Sequence, residues 1–294
     1  MNTYNAEKFI KESIQSVIDQ TYTNWELIVF DNCSNDNTKN IVNLFKDKRI
    51  KYIYSNEHTH LGIARYKAQD YLDGEFLGIL DSDDIWHKDK LTKQIENFND
   101  KIAIVYSNTI FFNKFFEKKL YSTKQPSGYL FYKLLFKYNI SLESILIDRS
   151  KISNLDYFFD RDYELISDFD LILRLSSKYK IFYLNEVLSK WRMHNNNSSK
   201  GKLIEFINEK LFWIKKNSNL MNKKIRLKLI KSYNIDKALL LICDNDMKKA
   251  KEIFLKNYFL NFKSIFIFYI FNIKLFNSIF IKIYKKRIGY NELV

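Results

Sequence analysis

The sequence has few of the residues that mark several protein classes. Its 294 residues include one proline, six glycines and two cysteines. These low counts exclude collagen-like chains, proline-rich linkers and glycine-rich repeats. Cys33 and Cys243 stand far apart and form no metal-ligand pair, so a reducing, cytosolic compartment fits best.

Long apolar runs are also missing. No stretch reaches the ~18 to 20 uncharged residues that a membrane-spanning helix needs. The first five residues lack the basic and apolar regions of a signal peptide, so we expect no secretory leader. Hydrophobic residues nevertheless make up 46% of the chain and aromatic residues 17%, which excludes a disordered protein and allows a sizeable core.

The net charge of +14 is distributed unevenly. Residues 1–199 contain 27 Lys and Arg and 27 Asp and Glu, which cancel. Residues 200–294 contain 21 basic residues against seven acidic ones, so the whole excess lies there. This asymmetry predicts two regions with different roles: a domain over 1–199 and a basic, aromatic-rich helical region over 200–294.

Short apolar runs alternate with helical patterns over the first 110 residues. Residues 26–30 and 76–80 read as buried strands, and each run ends at an aspartate, Asp31 or Asp81. This alternation predicts an α/β fold, in which ligands bind beyond the carboxyl ends of the strands. The later patterns predict a helix over 168–178, two short strands within 181–191 and helices from about 200 onwards.

The strongest local motif is Asp81-Ser82-Asp83-Asp84, directly after the second apolar run. Three carboxylates at a strand end repel one another unless a cation or a proton relieves the charge. Their oxygen atoms suit Mg²⁺ or Mn²⁺. A solvated acidic turn that caps the next helix is the simpler alternative.

A set of motifs in order resembles the family 2 inverting glycosyltransferases, which have the nucleotide-sugar-binding GT-A fold, a mixed sheet flanked by helices. The resemblance covers roughly residues 1–200. It rests on Thr3-Tyr4-Asn5, Gln20-Thr21-Tyr22, the segment from Asp31 to Thr38, Asn56 with Gly62-Ile63-Ala64-Arg65, the segment from Leu80 to Trp86 with Lys90-Leu91, Ser167-Asp168-Phe169-Asp170-Leu171 with Arg174-Leu175, and Trp191-Arg192-Met193-His194 with Ser198.

The resemblance implies a nucleotide-sugar donor, most fittingly a UDP-sugar, and a divalent metal, Mn²⁺ or Mg²⁺. Thr3 and Tyr4 would border the base, and Asp31 would accept a hydrogen bond from the uracil. Arg65 would lie near the diphosphate or base, with a surface arginine as the alternative.

The same resemblance implies the metal ligands. Asp81 would face the ribose and the metal, and Asp83 would coordinate the metal on the diphosphate. His194 would reach the diphosphate or the metal, since a neutral imidazole can ligate and a charged one can pair with phosphate.

Asp168 matches the family's catalytic base. Inverting transfer needs one carboxylate that removes the proton of the acceptor hydroxyl while its oxygen attacks the anomeric carbon. The family often has Glu-Asp here, whereas this chain has Ser167-Asp168. Asp170 is a rival, two residues on and on a different helix face.

The chain departs from the family at its start. Family members have an apolar strand immediately before the Thr-Tyr-Asn segment, and here Met1 takes its place. That strand is central in the sheet, so its loss would open a gap and leave backbone groups unpaired. Either the true start lies upstream, or the chain is a truncated product.

The end of the sequence carries a basic stripe. Lys256, Lys263, Lys274 and Lys285 are 7, 11 and 11 residues apart, so they share one face of a helix rich in Phe, Ile and Tyr. This pattern predicts that residues 254–287 lie on an anionic membrane surface. A core-packing helix is the alternative, and no nucleic-acid-binding motif accompanies the charge, so we expect no nucleic-acid partner.

Together these features predict a metal-dependent inverting glycosyltransferase, peripheral on the inner face of the cell membrane. Its acceptor would be a lipid-linked or surface glycan. The alternatives are a truncated, catalytically inactive nucleotide-sugar-binding or membrane-associated protein and a metal-dependent nucleotidyltransferase, which would also use carboxylates at strand ends.

Overall fold

The computed structural model describes residues 1–153, 155, 157–194, 197, 201–244 and 246–257. A first compact unit, Met1–His194, contains every strand of the described chain, and a helical unit follows it. The strands are β1 (Asn2–Thr3), β2 (Leu27–Asp31), β3 (Ile50–Tyr54), β4 (Phe76–Gly78), β5 (Ile85–Trp86), β6 (Ile102–Phe112), β7 (Glu117–Lys119), β8 (Ile145–Asp148) and β9 (Lys180–Arg192).

The strands form two sheets. The first is parallel throughout and has the order β1-β2-β3. The second is mixed and has the order β4-β8-β6-β9-β5, with β7 paired to the end of β6. Strands β6 and β9 run parallel, whereas β8 is antiparallel to both β4 and β6.

Helices cover the sheets of the first unit. In α1, the apolar residues Ile10, Ile14 and Val17 repeat at helical spacing and are buried. The helices are α1 (Ile10–Ile18), α2 (Thr38–Leu44), α3 (Leu61–Ala68), α4 (Lys90–Ile95), α5 (Phe131–Phe136) and α6 (Ser167–Ser176), with single 3₁₀ turns at Gln69–Tyr71, Leu142–Ser144 and Arg149–Lys151.

The predicted α/β fold is confirmed, and one element differs. The sequence predicted two short strands within 181–191, which is wrong. The structure has one 13-residue strand, β9, because it pairs along almost its whole length with β6. Register shifts between Ser107 and Thr109 let the two long strands stay paired despite their irregular patterns.

A gap separates the two sheets. β1 contributes only two residues, opposite Phe30 and Asp31 of β2, and the amino group of Met1 donates to the carbonyl of Ile28 at 2.7 Å. No described strand pairs with the second edge of β4. A cavity of about 580 Å³ lies in between, lined among others by residues 24–28 on one side and 74–80 on the other.

The second unit is helical over its described residues. Its core includes Ile207, Ala238, Leu240 and Ile242. Within the described residues, no helix has the length and apolar character needed to cross a membrane. The predicted membrane-binding segment, 254–287, lies outside the described residues except for the backbone of its first four. The helices are α7 (Leu203–Lys216), α8 (Lys223–Cys243) and α9 (Met247–Asn257), with a 3₁₀ turn at Ser218–Leu220.

Candidate active site

The acidic motif forms a turn after β4 that is tied to the end of β9. The amide of Asp84 closes the turn on the carbonyl of Asp81 at 3.1 Å. The buried carboxylate of Asp84 accepts the amide of Arg192 at 2.8 Å, and the Arg192 Nε donates to the carbonyl of Asp83 at 2.8 Å. Burial raises the pKa of Asp84 well above its usual value, and the nearby carboxylates of Glu143 and Asp83 add to the effect. Asp84 therefore anchors the turn.

Asp83 and His194 meet at the edge where β9 ends. The Nε2 of His194 lies 2.8 Å from the Oδ2 of Asp83, and both side chains are partly exposed. The ring of Phe9 packs against the imidazole, with 5.0 Å between ring centroids. This contact joins two motifs that are 111 residues apart in the sequence.

The pair fits a divalent metal that is completed by a substrate. No group of three or more His, Cys, Asp or Glu residues in the described chain could hold a metal ion alone. Asp83 supplies a carboxylate oxygen and His194 an imidazole nitrogen, both of which Mn²⁺ accepts. Metals of this kind commonly take one or two protein ligands and fill the remaining positions with phosphate oxygens and water.

Arg65 connects the acidic turn to the predicted catalytic helix. Its guanidinium is 5% exposed and donates to Asp81 at 3.2 Å and to the Oγ of Ser167 at 3.0 Å. Burial raises the pKa of Asp81, and the positive charge of Arg65 opposes that shift. Arg65 is thus a buried bridge rather than a surface arginine, and its contact with a donor stays a prediction.

Asp168 lies in the first turn of α6 beside a partly buried tyrosine. The hydroxyl of Tyr138 donates to its Oδ2 at 2.9 Å, and the ring of Tyr138 packs edge-on against Phe169. The rival Asp170 is buried and pairs with Arg174 at 2.7 Å. The position of Asp170 favours a structural role, and Asp168 remains the better-placed base.

The residues predicted to contact the nucleobase, rather than to act as the catalytic base, form a third group. Asp31 has no exposed surface, and its two oxygens accept the amide of Ser34 at 2.8 Å and the hydroxyl of Tyr52 at 2.6 Å. Burial, followed by the hydrogen bond to Asp31, raises the pKa of Tyr52. These contacts give Asp31 a role in ordering the turn after β2, and its contact with uracil stays a prediction.

Thr3 and Tyr4 lie next to Asp31 along the edge. Thr3 is buried, and its register partner in β2 is Asp31. Tyr4 is exposed and stacks on His58 with 4.0 Å between ring centroids. The Nδ1 of His58 lies 3.0 Å from the carbonyl of Asn32. The two ring planes are tilted by 34°, so a nucleobase could stack on an outer face of this pair.

The sequence profile of the family described as "Glycosyl transferase family 2" matches residues 1–149, which is half of the chain. The chain belongs to glycosyltransferase family 2. The UDP-Glc:alpha-D-GlcNAc-diphosphoundecaprenol beta-1,3-glucosyltransferase WfgD of Escherichia coli is 34% identical over 70% of this chain and 80% of its own. The putative teichuronic acid biosynthesis glycosyltransferase TuaG of Bacillus subtilis is 29% identical over 68% of this chain and 80% of its own.

Solved structures confirm the GT-A fold of this glycosyltransferase. S. aureus TarS 1-349, crystallised with UDP, has a TM-score of 0.61 at 18% identity, over 80% of this chain and 69% of its own. The mannosyltransferase PcManGT of Pyrobaculum calidifontis, in complex with GDP-Man and Mn²⁺, has a TM-score of 0.61 at 15% identity. That match covers 96% of this chain and 82% of its own.

Sequence reasoning about this glycosyltransferase missed two side chains at the site. His58 lies in an exposed loop, where no local pattern indicates that it packs on Tyr4. Tyr138 carried no local signal because it lies in an irregular region, 30 residues before the carboxylate that it contacts. Both contacts depend on the tertiary fold, and no spacing rule within one element would reveal them.

Proposed function

We propose that this family 2 glycosyltransferase moves a sugar, with inversion at the anomeric carbon, from a UDP-sugar to a hydroxyl of a lipid-linked or surface glycan. The name of the E. coli relative states a UDP-Glc donor and a diphosphoundecaprenol-linked acceptor. The name of the B. subtilis relative states a putative role in teichuronic acid biosynthesis. The alignments with both relatives cover about 70% of this chain, which supports the same substrate class.

Donor binding is assigned to the edge formed by Tyr4, Asp83 and His194. Tyr4 and His58 would stack on the base, while Asp83 and His194 would hold a divalent metal at the diphosphate. Such a metal, when bound, neutralises the charge that develops on the departing diphosphate. A solved neighbour with this fold binds GDP-Man and Mn²⁺, which supports the same pairing of nucleotide and metal here.

Asp168 is assigned the role of general base. Its carboxylate removes the proton from the acceptor hydroxyl as that oxygen attacks the anomeric carbon from the side opposite the diphosphate. The phenol of Tyr138 holds one carboxylate oxygen at 2.9 Å, so the other is available to accept the proton. Arg65 sets the distance between this helix and the acidic turn through Ser167 and Asp81.

The observation that carries the proposal is the Arg65 bridge, because this guanidinium contacts both Ser167, the neighbour of the predicted base, and Asp81 of the acidic turn. The test is transfer from UDP-sugars to undecaprenyl-diphosphate-linked acceptors by the purified chain. We expect Asp168→Asn to lower turnover by about 10² or more with little change in donor affinity. Exposed Asp100→Asn is the matched control and should keep wild-type turnover. Near-wild-type turnover of Asp168→Asn would remove Asp168 from the reaction.

The same assay separates the alternative functions. A catalytically inactive nucleotide-sugar-binding protein would bind the donor without transfer and without slow donor hydrolysis. A nucleotidyltransferase would instead exchange pyrophosphate into its nucleotide substrate.

We assign catalysis to residues 1–199 and attachment to the inner face of the membrane to residues 254–287. Four lysines at helical spacing in that segment support attachment to acidic lipid. Co-sedimentation with acidic vesicles compares the full chain with one that ends at Glu252. The full chain should bind more strongly than the truncated one, and its binding should weaken as salt rises. Equal binding of both chains would contradict the assignment to 254–287.

A further inference from the structure

A hairpin of β6 and β7 projects at the edge of the second sheet. Its turn is closed by the amide of Asn113, which donates to the carbonyl of Phe116 at 3.0 Å. The side-chain oxygen of Asn113 accepts the amides of Phe115 and Phe116 at 2.8 and 3.1 Å. These bonds hold the backbone of the turn in one conformation, so the position of Phe115 at the tip is fixed.

The tip of this hairpin exposes aromatic surface. Phe115 is 92% exposed, the highest value among the large apolar side chains of the described residues, and its neighbour Phe116 is also exposed. A rigid turn that presents two adjacent phenylalanines to water keeps apolar surface unburied. Surfaces of this kind mark places where a protein meets a partner or a membrane.

The net charge around the tip is positive. Lys114, Lys118 and Lys119 are all exposed, and the only acidic residue of the hairpin is Glu117. The Nζ of Lys190, on β9, lies 2.8 Å from the carboxylate of Glu117 and neutralises it. The hairpin therefore combines aromatic rings with a net positive field, as surfaces do that bind anionic lipid.

The base of the hairpin lies beside the active site. β6 and β9 run parallel, with Phe112 opposite Arg192, so both strands end at the same edge. The amide of Met193 donates to the carbonyl of Phe112 at 2.8 Å, one residue before His194. The hairpin thus projects from the edge that carries the predicted diphosphate site.

We propose that the β6–β7 hairpin tip inserts Phe115 and Phe116 into the headgroup region of an anionic bilayer, with Lys114, Lys118 and Lys119 on the lipid phosphates. This contact would hold the active-site edge at the membrane surface. It is distinct from attachment through 254–287, and it rests on the proposed function only for the location of the acceptor. The charge of the tip selects a bilayer over a protein partner, because a lipid surface offers both phosphate and apolar depth.

The test uses the full chain and vesicles that contain neither donor nor acceptor, so its result is independent of transfer activity. Phe115→Trp places a fluorophore at the tip, and brominated phosphatidylcholine, added in equal amount to acidic and to neutral vesicles, reports its contact with acyl chains by quenching. Leu44→Trp is the matched control, because Leu44 is 71% exposed at the end of α2 and precedes the amino end of β3, away from the active-site edge. Both variants carry the same four native tryptophans as background.

We expect extra quenching in Phe115→Trp only, and more with acidic than with neutral vesicles. Phe115→Ser should weaken partition into acidic vesicles about tenfold, the size of one lost apolar side chain, while Leu44→Ser should not. Quenching of Phe115→Trp no greater than that of Leu44→Trp would overturn the proposal. So would a change in oligomeric state on Phe115→Ser with unchanged partition into acidic vesicles, since the tip would then be an interface between copies.

Discussion

Residues added ahead of Met1 are expected to stabilise the protein, because its amino group is enclosed beside the cavity. Burial lowers the pKa of this ammonium from its ordinary value of 8.0 to about 6, with Arg65 adding to the shift and Asp81 opposing it. Between pH 6 and 8 the unfolded chain therefore binds a proton that the folded chain lacks, so stability rises with pH across this window. The enclosed ammonium costs about 3 kcal/mol below pH 6, about half of that at pH 7 and almost nothing above pH 9.

An extension replaces this ammonium by an amide, which still donates to Ile28. Continuing the β1–β2 register places four added residues opposite Trp25, Glu26, Leu27 and Ile28, all of which line the cavity. A Val-Ile-Ile-Val extension should therefore pair as a strand inside the cavity. Each buried side chain contributes about 1.5–3 kcal/mol against about 1.5 kcal/mol of ordering per residue, so the net gain is on the order of 1–3 kcal/mol.

Urea unfolding at pH 5, 7 and 9 separates the two effects. A Gly-Ser-Gly-Ser extension is the matched control, because it removes the buried charge without adding apolar side chains. Both extended chains should gain stability most at pH 5, and only the apolar one should keep a gain at pH 9. Equal unfolding free energies for the two extensions at pH 9 would refute the strand in the cavity. A pH-independent effect of the control would refute the buried ammonium.

Three further variants test the site and its support. Asp83→Asn should remove the Mn²⁺-dependent part of donor affinity measured by calorimetry, because a neutral amide is a poorer ligand for a hard cation; unchanged affinity would contradict the metal role. Arg65→Met should lower the free energy of unfolding by about 2–3 kcal/mol, less than a fully buried pair because Asp81 is partly exposed, whereas Arg65→Lys should lose less. Burial lowers the pKa of Lys90 to about 7, so the wild-type stability should rise by up to about 1.4 kcal/mol per pH unit from pH 7 to 9. Lys90→Met should flatten that rise in urea titrations, and an equal slope in both proteins would show that Lys90 keeps its charge in the fold.

The fold was largely predictable because its signals are local. Apolar runs that end at Asp31 and Asp81 marked two strands at the active-site edge, and the structure has strands that end at or just before both residues. The length of β9 was not predictable, since its central residues are held by pairing with β6 rather than by their own pattern. The length of a strand depends on the strand that it pairs with as well as on its own sequence.

The motifs nominated residues that the fold brings together, but most of their contacts could not be predicted, and their roles stay predictions. The motifs nominated Asp83 and His194, and the fold brings them to 2.8 Å. The spacing of Asp170 and Arg174 on one helix is a local signal for their ion pair. The contact of Asp168 with Tyr138 had no such signal, because the two residues are 30 positions apart and meet only in the fold.

A network of buried polar side chains holds the elements that follow the turn of residues 81–84. The ammonium of Lys90 donates to the Oε1 of Gln94 at 2.5 Å, and the amide of Gln94 donates to the carbonyl of Ser144 at 2.8 Å. The indole of Trp86, two residues after the turn, donates to the carbonyl of Glu143 at 2.9 Å. These bonds fasten α4 and β5 to the segment that leads into β8, and leaving any of these groups buried without a partner would cost stability. Since these bonds and the contact of Asp84 with Arg192 are made without a ligand, the proposed function would have Asp83 oriented before the donor binds, so that donor binding need not supply the free energy to order it.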